Sequence, residues 1–289
     1  MICIETSARS KPARLRPATA AERARVARRM LANCHFCAHH CGVNRRAGPA
    51  GLCHAGPNAR FFSAQVEVTD ELELIPTFAV ALSGCDLRCD FCITGASSWN
   101  PAAGVGLDVA TMAARARQAL AGGARTVMVL GGEPTIHLPA ALELVAALPA
   151  AARLIWKTNA HGSAEARELL DGMFDVWLAD YKFGNDACAR RLAKVSDYTN
   201  IVRENLRWAQ AHSTLIVRHL VMPGHVDCCW RPMAEWLARH LPGVKVNLRA
   251  GFWPAGQAAR HPELCGTVAP GEARQATDIA HEFGLNLVA

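Results

Sequence analysis

The stretch Cys85-Asp86-Leu87-Arg88-Cys89-Asp90-Phe91-Cys92 constrains this chain more than any other, because its three thiols directly follow a short apolar run at residues 77–84. A bounded run of that length reads as a buried strand, so the thiols sit in the turn that leaves a strand end. Thiolates separated by three and then two residues can hold three irons of a four-iron cluster and leave the fourth iron open to an outside ligand. Structural zinc is the rival, and it needs four ligands. The nearest further cysteines, Cys53 and Cys188, belong to another set or stand alone in sequence. The ligand count therefore favours an open iron–sulfur site.

Beyond this turn, strand and helix patterns alternate. After Asp108, a natural N-cap, apolar Val109, Met112, Ala116 and Leu120 recur at helical spacing until Gly122-Gly123 stops the helix. Further strands are predicted at 125–130, 153–158, 174–179, 214–221 and 244–248. Helices are predicted at 138–148, 164–170, 186–195, 201–212, 231–240 and 272–283. With 77–84 this gives six parallel strands covered by helices, curled into a barrel or left open. Polar residues gather at the predicted strand ends: Cys85, Gly131-Gly132-Glu133, Thr158-Asn159, Asp180 with Lys182, Arg218-His219 and Arg249. Strand ends converge on one face of a barrel, where such folds build their sites, so the expected fold is α/β, a partial (β/α)6 barrel.

Ahead of the first strand lies a second cysteine set, Cys34, Cys37, Cys41 and Cys53, interleaved with Gly42, Gly48, Pro49, Gly51 and Gly56. Glycines beside thiol ligands let the backbone turn tightly, and a short segment with little core gains stability from a bound ion. Four thiols fill a tetrahedral shell. Zinc is the first reading and a second iron–sulfur cluster the runner-up, with His35, His39, His40 and His54 as substitute donors. Residues 61–76 alternate in the manner of a strand or covering hairpin. The expected organisation is a basic leader at 1–33, a cysteine-rich metal-binding segment and connector at 34–76, and the barrel at 77–289.

The leader carries Arg9, Lys11, Arg14, Arg16, Arg23, Arg25, Arg28 and Arg29 against only Glu5 and Glu22, with a helix predicted at 18–31. A solvated leader is preferred to a nucleic-acid-binding arm, because the net charge of the whole chain is only +6. Hydrophobic residues make up 51% of the 289 but form no unbroken run of membrane-spanning length. No secretory leader pattern appears, and cysteines spaced as ligands suit a reducing compartment, so a cytoplasmic location is expected.

CDLRCDFC after one strand and Gly131-Gly132-Glu133-Pro134 after the next together resemble the motifs of radical S-adenosylmethionine enzymes. Within that superfamily the chain is similar to proteins related to pyruvate formate-lyase activating enzyme that carry an N-terminal cysteine set. The resemblance runs over about residues 34–255, through CHFCAHHCGVNR, LSGCDLRCDFC, LGGEPTIHLP, KTNAHG, LADYKFG and RHLVMPGHVDCC. It implies that Cys85, Cys89 and Cys92 hold a [4Fe-4S] cluster whose open iron chelates S-adenosylmethionine. It also implies that Gly131, Gly132 and Glu133 meet the methionyl amine and that Phe91 lies near the adenine. Asp180 and Lys182 resemble a cofactor-gripping pair, and Asn159 and Arg218 are strand-end groups with the same possible role. The plain alternatives are a tight turn at the glycines, a core aromatic at Phe91, and an ordinary ion pair at Asp180 and Lys182.

The implied reaction is reductive cleavage of S-adenosylmethionine to a 5′-deoxyadenosyl radical that takes hydrogen from a protein or peptide, including activation of a glycyl radical enzyme. A flavodoxin- or ferredoxin-like donor would supply the electron. Rival readings are a radical enzyme acting on a small molecule, a non-enzymatic iron–sulfur carrier or sensor, and a zinc-dependent nucleic-acid binder. This sequence departs from the family at Thr94, where Asn is common, and at Gly251-Phe252-Trp253-Pro254, where Gln-Tyr-x-Pro is common. Cys228-Cys229 is weighed as a hydrogen or electron donor against inert buried thiols, and Cys3, Cys188 and Cys265 read as isolated.

Overall fold

A computed structural model describes residues 15–68 and 71–288. The chain runs α1 (Arg16–Met30), β1 (Arg60–Glu67), β2 (Thr77–Leu82), α2 (Ala96–Trp99), β3 (Val105–Gly106), α3 (Val109–Ala121), β4 (Thr126–Gly131), α4 (Leu138–Ala147), β5 (Leu154–Thr158) and α5 (Ala164–Leu170). It continues with β6 (Val176–Asp180), α6 (Asp186–Ala193), α7 (Tyr198–His212), β7 (Thr214–Leu220), α8 (Arg231–His240), β8 (Lys245–Arg249), α9 (Pro270–Glu282) and β9 (Asn286–Leu287). One sheet holds the strands in the order β3-β1-β2-β4-β5-β6-β7-β8-β9. Strands β2 and β4 to β8 are the six predicted parallel strands, paired neighbour to neighbour. The sheet does not close, as a partial barrel requires.

Period-two alternation along these strands sorts their side chains between two cores. Phe78, Val80, Val127, Val129, Trp156, Trp177 and Val217 join the larger cluster with the helices. Ala79, Met128, Ile155, Leu178 and Ile216 form a second cluster on the opposite face. The helices start where their caps dictate: Asp108 accepts from Thr111 N at 2.8 Å, Ser163 from Ala166 N at 3.2 Å, and Asn185 from Cys188 N at 2.8 Å. Among the described residues no helix is long and apolar enough to cross a membrane.

The stretch 61–76, expected as a strand or covering hairpin, supplies β1, and two further additions escaped the sequence pattern. Strand β1 extends the sheet antiparallel to β2, and the two-residue strands β3 and β9 form the sheet edges. Two-residue strands carry no periodicity to read. The basic helix is also not solvated on all sides, although Arg25 and Arg29 are exposed. Ala20, Ala24 and Ala27 are buried on one side of α1, which packs on α4, and small residues let the two helices approach closely. Its arginines then reach fixed partners. Arg16 forks onto Asp175 at 2.6 and 3.0 Å, Arg28 forks onto Glu143 at 2.7 Å through both nitrogens, and Arg23 caps the Leu169 carbonyl at 3.1 Å. Arg9, Lys11 and Arg14 lie outside the described residues.

Candidate active site at the strand ends

The loop after β2 is held from several sides. Arg88 N and Asp90 N donate to the Ala193 and Leu192 carbonyls at the end of α6, at 3.1 and 2.8 Å. Gln257 N donates to Asp90 O, while the Asp90 carboxylate takes Lys194 Nζ at 2.8 Å and His261 Nε2 at 2.6 Å. Cys85 and Cys89 are buried, and Cys92 is partly exposed. Leu87 N points at Cys85 Sγ from 3.4 Å, a backbone donor of the kind that stabilises a metal-bound thiolate. Thr94, which stands where the family often has Asn, lies with its hydroxyl 3.3 Å from Cys92 Sγ.

A cavity of about 280 Å³ opens beside these thiols. Cys85, Cys89, Phe91, Cys92, Gly131, Gly132, Glu133, Asn159, Asp180, Lys182 and Arg218 all border it, whereas His219 and Arg249, also expected at strand ends, do not. Gly131 and Gly132 pass against the β2 exit, where Gly132 N donates to Leu82 O at 2.8 Å and Glu133 N to Gly84 O at 2.9 Å.

Glu133 is spent inward. Its Oε1 accepts from Thr135 N (3.0 Å), Thr135 Oγ1 (2.5 Å) and Thr158 Oγ1 (2.8 Å), and its Oε2 accepts from Asn159 N at 2.7 Å. It therefore locks the β4 turn to the β5 exit. Burial, helped by the nearby Asp86 carboxylate, pushes its pKa up to about 7. Because the ordinary value is 4.5, the native protein holds an extra proton between the two. The stability contributed by that proton is full below pH 4.5 and is lost as pH rises through about 7. In Glu133→Gln the amide nitrogen must face one of the two backbone N–H donors, so we expect a stability loss of about 1–3 kcal/mol. The variant's urea midpoint should also lose that pH dependence.

Asn159 donates to Asp86 Oδ1 at 2.7 Å, and His161 Nδ1 meets Asp86 Oδ2 at 2.9 Å. Burial opposes ionisation of Asp86, but the His161 and Asn159 bonds hold its pKa below the ordinary value. His39 Nε2 meets the Asp86 carbonyl at 3.0 Å, which ties the N-terminal cysteine segment to the thiol loop. The roles of Asp86, His161 and His39 were not visible in sequence, because their spacing resembles no local motif.

Phe91 borders the cavity and packs against Phe183 and Phe252 at centroid distances of 6.0 and 6.3 Å. Lys182 Nζ lies 2.7 Å from Asp180 Oδ2. Burial disfavours both charges, yet each partner holds the other ionised: Asp180 sits below the ordinary carboxylate range and Lys182 above the ordinary amine range. Arg218 lies 4.0 Å from Asp180 and 3.7 Å from Glu71.

The four N-terminal thiols of Cys34, Cys37, Cys41 and Cys53 line one small pocket together with Arg45. Arg45 is buried and donates to the carbonyls of Ala55 (2.9 Å), Ile136 (2.7 Å) and Gly56 (2.9 Å), with Cys34 Sγ at 3.5 Å. Cys228 and Cys229 do not border the large cavity. The reading of Cys188 as isolated is corrected, because its Sγ stands 3.9 Å from that of Cys228. Folding joins the loops after β6 and β7, which sequence separation concealed. Cys3 lies outside the described residues, and Cys265 is exposed.

Residues 80–237 match the family model described as the radical SAM superfamily. Among curated proteins the chain is 29% identical over 278 residues to the uncharacterized protein MJ0674 of Methanocaldococcus jannaschii, covering 91% of this chain and 78% of that one. Among solved structures it is similar to SuiB of Streptococcus suis. The SuiB structure bound to precursor peptide SuiA matches with a TM-score of 0.55 and 14% identity over 70% of this chain and 46% of SuiB. The structure bound to S-adenosylmethionine matches with the same TM-score and identity over 71% of this chain and 47% of SuiB. The chain thus spans under half the length of SuiB, and at this identity the likeness concerns the fold.

Proposed function

The chain belongs to the radical SAM superfamily, and from that premise we propose that its strand-end cavity cleaves S-adenosylmethionine reductively and takes hydrogen from a protein or peptide. The observation that carries this reading is the meeting of three thiols, two side-chain-free turn residues and a Lys–Asp pair around one cavity. The donor set fits a four-iron cluster with one open iron: three thiols and, among the described residues, no fourth cysteine border the cavity. When bound, the cluster supplies the electron that splits the sulfonium and releases the 5′-deoxyadenosyl radical.

The protein's own part is binding and orientation. Cys85, Cys89 and Cys92 hold the cluster, and the bare backbone at Gly131 and Gly132 leaves room for the methionyl end. Lys182, kept charged by Asp180, is a compact cation for the cofactor carboxylate. Phe91, Leu87 and Met222 give the cavity apolar wall, which keeps water from a reactive radical. SuiB, solved with a precursor peptide bound, is a precedent on this fold for peptide binding, and activation of a glycyl radical enzyme falls within the same class of protein or peptide substrate. The electron donor is a flavodoxin- or ferredoxin-like protein by the chemistry required.

At the N-terminal set we propose that Cys34, Cys37, Cys41 and Cys53, which line one pocket, hold zinc, with a second iron–sulfur cluster as the alternative.

The test of the binding assignment is calorimetry with S-adenosylmethionine on the cluster-loaded protein. Loss of a charge-assisted contact is worth about 1.5–3 kcal/mol, so Lys182→Met should weaken binding by about 10- to 100-fold. A variant that is less stable but binds with unchanged affinity would reduce Lys182 to a structural ion pair.

A further inference from the structure

Outside the cavity, the loops after β6 and β7 bring together soft donors that are far apart in sequence. Cys188 lies in the first turn of α6, and His225 and Cys228 lie at the π-helical turn Val226–Trp230 that leads into α8. One donor atom from each of the three lies within 4.8 Å of the other two. Cys188 Sγ and Cys228 Sγ are 3.9 Å apart, and Cys228 Sγ and Cys229 Sγ are also 3.9 Å apart. Two thiolates sharing a tetrahedral zinc, with Zn–S near 2.3 Å, are separated by about 3.8 Å. We propose that Cys188, His225 and Cys228 form a binding site for a thiophilic divalent cation, zinc foremost, with Cys229 as the nearest further donor.

The surroundings are built for such a site. His225 is buried, and its Nδ1 is 2.8 Å from the Pro223 carbonyl, so Nδ1 carries the proton and Nε2 keeps its lone pair. This is how a ligating imidazole is normally oriented. Asn185 Nδ2 donates to Cys228 O at 2.7 Å and lies 3.3 Å from Cys188 Sγ and 3.7 Å from Cys229 Sγ, so one amide aims the thiols and joins the two loops. Cys228 is exposed, which gives a cation its way in. Arg191 now donates to His225 Nε2 at 2.9 Å, and metal binding exchanges that contact for a metal bond while Arg191 keeps Glu263 as its ion-pair partner.

The bound ion would staple α6 to the turn before α8. Asn185 follows Lys182 by three residues, so the staple would fix the segment that carries the Asp180–Lys182 pair without entering the cavity. The site is independent of the chemistry proposed there.

The test is cysteine-by-cysteine alkylation of the full chain under reducing, anaerobic conditions, with saturating Zn²⁺ or with a zinc chelator, read by peptide mass spectrometry. A metal-bound thiolate is withheld from the alkylating agent, so zinc should slow modification of Cys188 and Cys228 by about tenfold or more and leave exposed Cys265 unchanged. In His225→Gln the protection of Cys228 should fall away. Equal rates with and without zinc overturn the proposal. So does protection that appears only after oxidation and is reversed by dithiothreitol, which would make the trio a dithiol site. Because the readout is per residue, zinc held by Cys34–Cys53 does not enter it, and the unmutated protein suffices if His225→Gln does not fold.

Discussion

Gly131→Ala is expected to be severely destabilising. The backbone at Gly131 has φ of +146°, a region that residues with a Cβ rarely adopt, and a Cβ there would lie 2.1 Å from Leu82 O and 2.4 Å from Leu82 N. Both neighbours are backbone of β2, so no side chain can rotate away. Relief requires moving the end of β4 away from β2 at the point where β2 delivers Cys85. Backbone strain of about 1–3 kcal/mol adds to an overpacking cost of similar size, giving a loss of about 2–6 kcal/mol. Urea unfolding of the metal-free protein measures it. A loss under about 1 kcal/mol would mean that the turn has slack the geometry does not show.

Arg45→Met is the second large effect, and it acts from the opposite side of the site. The guanidinium is almost wholly buried and serves three carbonyls, two in the cysteine-rich segment and one, Ile136, in the turn between β4 and α4. Methionine fills similar space but leaves those oxygens without a donor, at about 1–3 kcal/mol for each one kept from water. Water can reach part of the site, so the expected loss is about 2–5 kcal/mol. Arg45→Lys should recover less than half, since an ammonium cannot serve three carbonyls in the fork geometry of a guanidinium. The same substitution should raise proteolytic cleavage between Cys41 and Cys53 before global unfolding, because it cuts the tie between that segment and the barrel. Unchanged protease resistance would show that the segment's other ties, among them His39 to Asp86, Ala38 N to the His161 carbonyl and Ser163 N to the Phe36 carbonyl, hold it without Arg45.

These two sites mark what the sequence made legible. The parallel strands announce themselves as apolar runs, because both faces of such a strand are buried, and the thiol triplet, the double glycine and the Asp180–Lys182 pair each stand at a strand exit. Knowing the strands therefore located the site. What stayed hidden depends on long-range meetings. Arg45 looks like one more charge in a basic region, yet it is buried because carbonyls from two distant turns converge on it. Glu133 reads as a residue that helps fix the turn beside the cofactor, but its bonds to Thr158 and Asn159 at the β5 exit were not visible. The α1 arginines look like a solvated charge run, but an alanine stripe on the same helix docks it and aims Arg16 at Asp175 and Arg28 at Glu143. Cys188 looks alone until the loops after β6 and β7 meet. In each case the determining partner lies far along the chain, beyond the reach of periodicity or local spacing.

The central claim is that the three thiols at the strand ends support reductive cleavage of S-adenosylmethionine. The most direct measurement is anaerobic iron–sulfur reconstitution, reduction in the presence of S-adenosylmethionine, and detection of 5′-deoxyadenosine by mass, with Cys89→Ala alongside. The account predicts 5′-deoxyadenosine from the parent protein and none above background from Cys89→Ala. A parent protein with a loaded, reducible cluster that forms no 5′-deoxyadenosine, even with candidate peptides present, would contradict it and favour an iron–sulfur carrier or sensor.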